Sequence, residues 1–187
     1  MGERSIVILA SGSGTLAQAL IDAIIRAELD CEISAIISDQ RSQVLERARK
    51  HDITNFYLPL TKVRTDWDEK LLDLVSKLKP DLVISAGFMR ILSPDFVAKF
   101  DCINSHPSLL PAFPGAHAVR DALAAGVSET GCTVHWIDAG IDTGAIIGQI
   151  PMPIYPTDSE ETLHERIKIA ERALIVETVS ALLADKY

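Results

Sequence analysis

The chain has 187 residues, 48 % of them hydrophobic and 24 % charged, with a formal net charge of −8. That balance suits one globular domain with its own core and excludes a disordered or fibrous chain. An acidic charge without a lysine or arginine run argues against a nucleic-acid partner, because phosphate backbones are met by basic footprints.

In chain order, Ile6 to Ala10 is a continuous β-favouring run, as expected of a strand buried on both faces. Ser11-Gly12-Ser13-Gly14 breaks it, and Leu16, Leu20, Ala23, Ile24 and Ala27 then recur at helical spacing. Ile33 to Ser38 reads as a second strand and Gln43 to Lys50 as a helix. Ile53 to Leu58 reads as a third strand, Trp67 to Leu78 as a helix, and Leu82 to Ala86 as a fourth buried strand. This rhythm predicts a parallel sheet with right-handed crossovers. A short strand at Cys102 to Ser105 leads into a proline-rich loop, 107–114, and a helix over His117 to Ala125. Thr130 to Ile137 and Ala145 to Ile150 read as two strands joined by a Gly/Asp-rich turn, with antiparallel pairing. A last amphipathic helix covers Ser159 to Ala184, its start capped by Asp158-Ser159-Glu160-Glu161. The fold class is therefore α/β: a single Rossmann-like domain, 1–187, with a mostly parallel central sheet, helices on both faces and an antiparallel addition in the C-terminal half.

Cys31, Cys102 and Cys132 are odd in number and widely spaced, so they form neither a disulfide framework nor a zinc pattern; buried reduced thiols are expected. The five histidines show no HxxxH pairing, and no metal is expected. The apolar run from Ser5 to Ala10 is too short to span a membrane, and no signal-peptide cleavage pattern comes after it. A cytoplasmic protein without a membrane partner is expected.

Two stretches carry chemistry. Gly12-Ser13-Gly14-Thr15-Leu16-Ala17 lies between a strand and a helix, where backbone amides and the helix N-terminus can hold a phosphate and Thr15 adds a hydroxyl. It also fits the G-x-G-x-x-G/A dinucleotide pattern, and Asp39, near the end of the second strand, stands where such enzymes keep a ribose-binding acid. A tight structural turn remains the simpler alternative. The second stretch is Asn104-Ser105-His106-Pro107. Asn104 and His106 are two apart in an extended segment and share one side, and the prolines at 107, 111 and 114 stiffen the adjoining loop. Asp142, in Ala139-Gly140-Ile141-Asp142-Thr143-Gly144, would favour the imidazolium if it met His106. A protonated histidine beside an asparagine suits a developing oxyanion in acyl transfer. From spacing alone, a lone His-Pro in a loop is more often structural than catalytic.

Several motifs, in order and over nearly the whole chain, resemble the folate-dependent formyltransferases. They are Ile103-Asn104-Ser105-His106-Pro107-Ser108-Leu109-Leu110-Pro111 with Phe113-Pro114-Gly115-Ala116-His117, then Ala86-Gly87-Phe88-Met89-Arg90-Ile91-Leu92, Gly131-Cys132-Thr133-Val134-His135 and Asp142-Thr143-Gly144. The resemblance implies a formyltransferase fold, with a phosphate-binding half over about 1–100 and a catalytic and folate-binding half over about 101–187. It implies transfer of the formyl group of 10-formyltetrahydrofolate, as cosubstrate, to the amine of glycinamide ribonucleotide in purine synthesis, by a monomer or homodimer. Asn104, His106 and Asp142 would be catalytic: His106 as the protonated donor, Asp142 favouring its charged form, and Asn104 holding the formyl oxygen. Gly14, Thr15 and Leu16 would bind the substrate phosphate and Glu171 another part of that substrate. Arg64, Met89, Arg90, Ile91, Leu92 and Asn104 would bind the folate.

The chain departs from the family at Thr15-Leu16, where Ser-Asn is usual, so a carboxamide is lost and phosphate binding would lean on backbone amides. Two other members of the superfamily, a methionyl-tRNA formyltransferase and a formyltetrahydrofolate hydrolase, are disfavoured: the first would need a basic surface and an added C-terminal domain, the second an added N-terminal one. An NAD-binding oxidoreductase would use the glycine loop and Asp39 but leaves Asn-Ser-His-Pro and Asp-Thr-Gly without a task. His135 is expected to be a hydrogen-bonded structural residue that can touch the Asp142 turn, His117 to stand at the start of a helix beside the crevice, and His51 and His164 to be surface helix residues.

Overall fold

The computed structural model describes residues 4–184. One seven-stranded sheet runs in the order β3-β2-β1-β4-β5-β6-β7. Its strands are β1 (Ser5–Leu9), β2 (Glu32–Ser38), β3 (Asn55–Tyr57), β4 (Leu82–Ser85), β5 (Cys102–His106), β6 (Glu129–Trp136) and β7 (Ile146–Pro153). The first five pair in parallel, and β5–β6 and β6–β7 are antiparallel. The helices are α1 (Thr15–Ile25), α2 (Gln43–Lys50), α3 (Arg64–Leu78), α4 (Pro94–Lys99), α5 (Ala118–Ala125) and α6 (Glu160–Ala184).

Strand alternation divides the core into two layers. Ile6, Ile8, Ile36 and Ile84 face one side, where they meet α1, α2, α5 and α6 through Leu20, Val44, Val119 and Ile175. Val7, Leu9, Ile37 and Val83 face the other, against Trp67, Leu71 and Val75 of α3 and Phe96 of α4. Every side chain of β1 is buried. This accounts for the unbroken apolar run in the sequence, since a strand covered on both faces has no polar face to show.

The expected elements are present, with four differences. A helix at Pro94–Lys99 is added; Ser93 caps it through its hydroxyl on the Phe96 amide, and Pro94 occupies its first turn. This is a regular start signal for a helix that is short. The α3 helix begins at Arg64, one turn before Trp67. The β3 strand shrinks to three residues. The β7 strand continues to Pro153 through two prolines, which is tolerated because β7 is the sheet edge and one row of its amides has no strand to bond. The three cysteines are buried and free, as expected. Burial pushes the Cys31 thiol up to about 11 and those of Cys102 and Cys132 to about 12.

The strand order reverses between β1 and β4, and a parallel α/β sheet opens a crevice at the carboxyl ends of the strands there. Three connections meet at that edge: 10–14 after β1, 86–93 after β4 and 107–117 after β5. Gly14 shapes the first. It caps α1 with φ of 73°, and a Cβ there would lie 2.4 Å from Val44 Cγ2 and 3.0 Å from the Val44 backbone. The residue is fixed both by dihedral and by space. We expect Gly14→Ala to cost more than about 1 kcal/mol of folding stability, read as a lowered urea midpoint at unchanged slope; an unchanged midpoint would show that the turn does not need glycine.

Candidate functional site

A cleft of about 460 Å³ lies at this edge. Its walls come from the glycine loop, the segment after β4, the end of β5, the turn before β7 and one face of α6. The backbone supplies the first feature. The N-terminus of α1 has no side-chain cap, so the first amides of the helix stay available to an anion. The Leu16 side chain belongs to the core, and at this position only the backbone of residue 16 can serve a ligand. Arg47 Nε donates to the Ser13 carbonyl at 2.7 Å and braces the loop from behind.

The second feature is an array of side chains at the end of β5. In the β5–β6 ladder Asn104 pairs with His135 and His106 with Thr133. His106 Nε2 lies 2.8 Å from the Phe113 carbonyl. A carbonyl only accepts, so Nε2 carries a hydrogen. Its Nδ1 faces Asp142 Oδ2 at 3.4 Å. The other carboxylate oxygen, Oδ1, lies 3.5 Å from His135 Nε2, which also meets the Asn104 carboxamide at 3.2 Å. His135 Nδ1 donates to the Trp136 carbonyl at 2.8 Å. One carboxylate therefore stands between two buried imidazoles, and one of these orients the asparagine.

The turn that carries Asp142 is built for this position. Asp142 has φ of 54°, a left-handed conformation that short polar residues tolerate. The Gly115 amide donates to Asp142 Oδ2 at 2.8 Å. Asp138 Oδ1 accepts from the Gly140 amide at 2.9 Å and from the Thr143 hydroxyl at 2.7 Å. A Cβ at Gly144 would sit 1.7 Å from the Trp136 carbonyl oxygen, so glycine alone lets the turn close onto β6. The His135 hydrogen bond, then the Gly115 amide and the nearby His106, hold the Asp142 carboxyl below its usual range against the opposing cost of burial.

Glu171, on α6, is buried at the floor of the cleft and accepts a hydrogen bond from the Ser105 hydroxyl at 2.7 Å. Burial pushes its carboxyl up. Met89, Arg90, Ile91 and Leu92 line the cleft opposite, and Met89, Ile91 and Ile141 present exposed apolar side chains around it. The predicted residues Gly14, Thr15, Leu16, Asn104, His106, Asp142 and Glu171 also line this one cleft. Arg64 does not. Its Nε pairs with Asp68 at 2.8 Å and its Nη2 donates to the Ile91 carbonyl, so it holds the cleft wall from outside.

Three residues are legible only in part from the sequence. His135 is more than a structural neighbour; the register opposite Asn104 would place it once the β5–β6 pairing is drawn. His164 lines the cleft, half-buried, where the sequence suggests a surface residue. Lys168 lines it one turn further along α6. Their i, i+4, i+7 spacing with Glu171 is a helix stripe that the sequence does carry. His117 caps α5 and is not part of the wall. Asp39, the dinucleotide-type acid, is bonded to Ser11 and Arg90 and lies outside the cleft wall, which removes it as a ribose partner. No group of three or more His, Cys, Asp or Glu among the described residues could hold a metal ion. None of the described helices is long and apolar enough to cross a membrane.

A family model described as formyl transferase matches residues 4–179. The chain belongs to the formyl transferase family. It is 46 % identical over 181 residues to the phosphoribosylglycinamide formyltransferase of Mycobacterium tuberculosis, covering 95 % of this chain and 84 % of that one. The crystal structure of phosphoribosylglycinamide formyltransferase from Bacillus halodurans superposes with a TM-score of 0.94 at 35 % identity, over 98 % of this chain and 97 % of that one. A formyltetrahydrofolate deformylase from Pseudomonas syringae superposes with a TM-score of 0.93 at 28 % identity, over 99 % of this chain and 63 % of that one. The fold thus serves two reactions, and the site has to decide between them. The chain is an enzyme of the formyl-transferring class.

The buried Glu171 gives a stability test. A carboxyl pushed up in the folded state binds its proton more tightly than in the unfolded chain, so ionising it weakens the fold as pH rises through the ordinary carboxylate range and beyond. Glu171→Gln keeps the acceptor for Ser105 and removes that cost. We expect the variant to be more stable than the parent at pH 8 by urea unfolding, and the gain to vanish at pH 4. A variant less stable at pH 8 would contradict the assignment.

Proposed function

We propose that the chain transfers the formyl group of 10-formyltetrahydrofolate to the amine of glycinamide ribonucleotide, a step of purine biosynthesis; its Mycobacterium tuberculosis relative is named a phosphoribosylglycinamide formyltransferase. The observation that carries this reading is one cleft with an uncapped helix N-terminus, fit for a phosphate, and the Asn104–His106–Asp142 array. A hydride-transfer reading lacks its ribose acid, because Asp39 is taken up by Ser11 and Arg90.

The substrate phosphate rests on the amides of Gly14, Thr15 and Leu16, with the Thr15 hydroxyl beside them and Lys168 on the α6 wall. Backbone donors replace the carboxamide that other family members have at position 16. Glu171 holds the sugar-bearing part of the same substrate. Met89, Arg90, Ile91 and Leu92 receive the folate, with Arg64 securing that segment from behind, and the exposed Met89 and Ile91 gain burial when a flat ring covers them. The cleft wall also includes Asn104, within reach of both ligands.

The neutral amine attacks the formyl carbon directly. A C–N bond forms, and the carbonyl π pair moves onto oxygen. Asn104, oriented by its contact with His135, presents its carboxamide N–H to that oxyanion. His106 is fixed by its Nε2–H on Phe113. Its Nδ1 contact with Asp142 is longer than a good N–H···O bond, so Nδ1–H is not committed to the carboxylate and can be shared with the oxyanion while the carboxylate balances the imidazolium. Two acceptors around one ring suit the doubly protonated form. Collapse breaks the bond to the folate N10, which takes up one proton as the amine gives one up through water in the cleft. The same reading makes the protein a single-domain cytoplasmic enzyme, monomeric or homodimeric, that needs no metal.

The test is a spectrophotometric assay with both substrates, tracking the deformylated folate. We expect turnover that requires the amine substrate. His106→Ala and Asp142→Asn are each expected to lower kcat by about a hundredfold or more, and Asn104→Ala by a similar factor, with circular dichroism unchanged. Folate deformylation that ignores the amine would mark a hydrolase instead, and wild-type kcat in either His106 or Asp142 variant would remove that residue from the mechanism.

A further inference from the structure

Asp39 stands where a dinucleotide site keeps its ribose acid, and it has no part in the reaction above. Its side chain is fully buried just beyond β2, and both oxygens are used. Oδ1 accepts from the Ser11 hydroxyl at 2.6 Å, and Oδ2 from Arg90 Nε at 2.7 Å. Ser11 Oγ in turn accepts from the Met89 amide at 2.9 Å. One buried carboxylate thus reaches two consecutive residues of the cleft wall, Arg90 directly and Met89 through Ser11.

That wall needs such support. Between β4 and α4 the chain forms neither helix nor strand. From Phe88 to Leu92, among the described residues, no backbone group bonds another backbone group. The segment is instead fixed by side chains at three successive positions: Ser11 on the Met89 amide, Asp39 on Arg90, and Arg64 on the Ile91 carbonyl. Phe88 anchors its start by stacking on buried Trp67. A charge-assisted hydrogen bond from a buried carboxylate is among the stronger ways to hold such a loop. The Arg90 guanidinium, held by Nε and 30 % exposed, has no other partner among the described residues, and Arg90 lines the cleft.

We propose that Asp39 is a positioning residue for the formyl donor: it fixes Met89 and Arg90 in the conformation that binds the folate, and acts on the donor end of the cleft more than on the phosphate end. This rests on the assignment of residues 89–92 to the folate made above. Asp39 is not part of the cleft wall, and it acts only through Ser11 and Arg90.

Asp39→Asn keeps the shape and removes the charge; Ser11→Ala keeps the Asp39–Arg90 pair and removes the link to Met89. The readouts are kcat, the KM of each substrate, and calorimetric binding of 5-formyltetrahydrofolate as a folate that does not donate. In Asp39→Asn we expect the donor KM and the folate Kd to rise about tenfold, the scale of weakening a hydrogen bond between charged groups. The amine-substrate KM should change clearly less than the donor KM, because the groups that Asp39 holds, the Ser11 hydroxyl and Arg90, are not among the phosphate-binding amides of Gly14, Thr15 and Leu16. Ser11→Ala should shift the donor in the same direction by less, and it keeps the test open if Asp39→Asn does not fold. A general loss of packing would raise both KM values together or leave both alone, and either result overturns the proposal. Normal turnover with an unshifted donor KM would refute the role of Asp39 only. A folded wild type that neither binds folate nor transfers formyl would refute the function as well.

Discussion

The Asp142 carboxylate is the contact on which the site depends. It accepts from the Gly115 amide and stands 3.4 Å from His106 and 3.5 Å from His135. One carboxylate on the turn before β7 therefore meets the end of β5, the loop after it and the β6 strand. A largely covered charge is costly unless it is paired and hydrogen-bonded, and here its partners are two buried imidazoles and a backbone amide. Removing the carboxylate would loosen the geometry and leave two imidazoles facing each other.

The sheet makes this arrangement possible. Its parallel half brings the ends of β1, β4 and β5 to one edge, which supplies the helix N-terminus and the irregular segment 86–93. Its antiparallel half sets β6 beside β5, so that Asn104 and His135 are cross-strand neighbours. A wholly parallel sheet would keep the glycine loop and the helix N-terminus and lose the histidine. The mixed sheet thus brings the glycine loop and the Asn104–His106–Asp142 array into one cleft.

The elements with long periodic patterns are legible in the sequence. The buried strands β1, β2 and β4, the α2 helix from Gln43 to Lys50 and the final helix come from hydrophobic spacing alone. Asn104 and His106 can be placed on one side of a strand, and the glycine loop at the foot of a helix. Contact between His106 and Asp142 cannot, because 36 positions of chain separate them and only the folded β6 and its turn bring them together. Asp39 misleads for a related reason. Its place after β2 is that of a ribose acid, but the arginine that claims it lies 51 residues on. Long-range polar pairing of this kind leaves no periodic trace. Pro151 and Pro153 point to the end of a strand that in fact continues, since an edge position is not visible from local sequence.

The nitrogen-15 NMR spectrum of the His106 ring, assigned with His106→Ala and recorded for the parent and for Asp142→Asn, reads the state of this contact. A hydrogen on Nε2, donated to Phe113, is predicted in both proteins, with an Nδ1 resonance that shifts when the carboxylate becomes an amide. An Nε2 without hydrogen, or an Nδ1 that does not respond to the loss of the Asp142 charge, would contradict the account of how this site is held together.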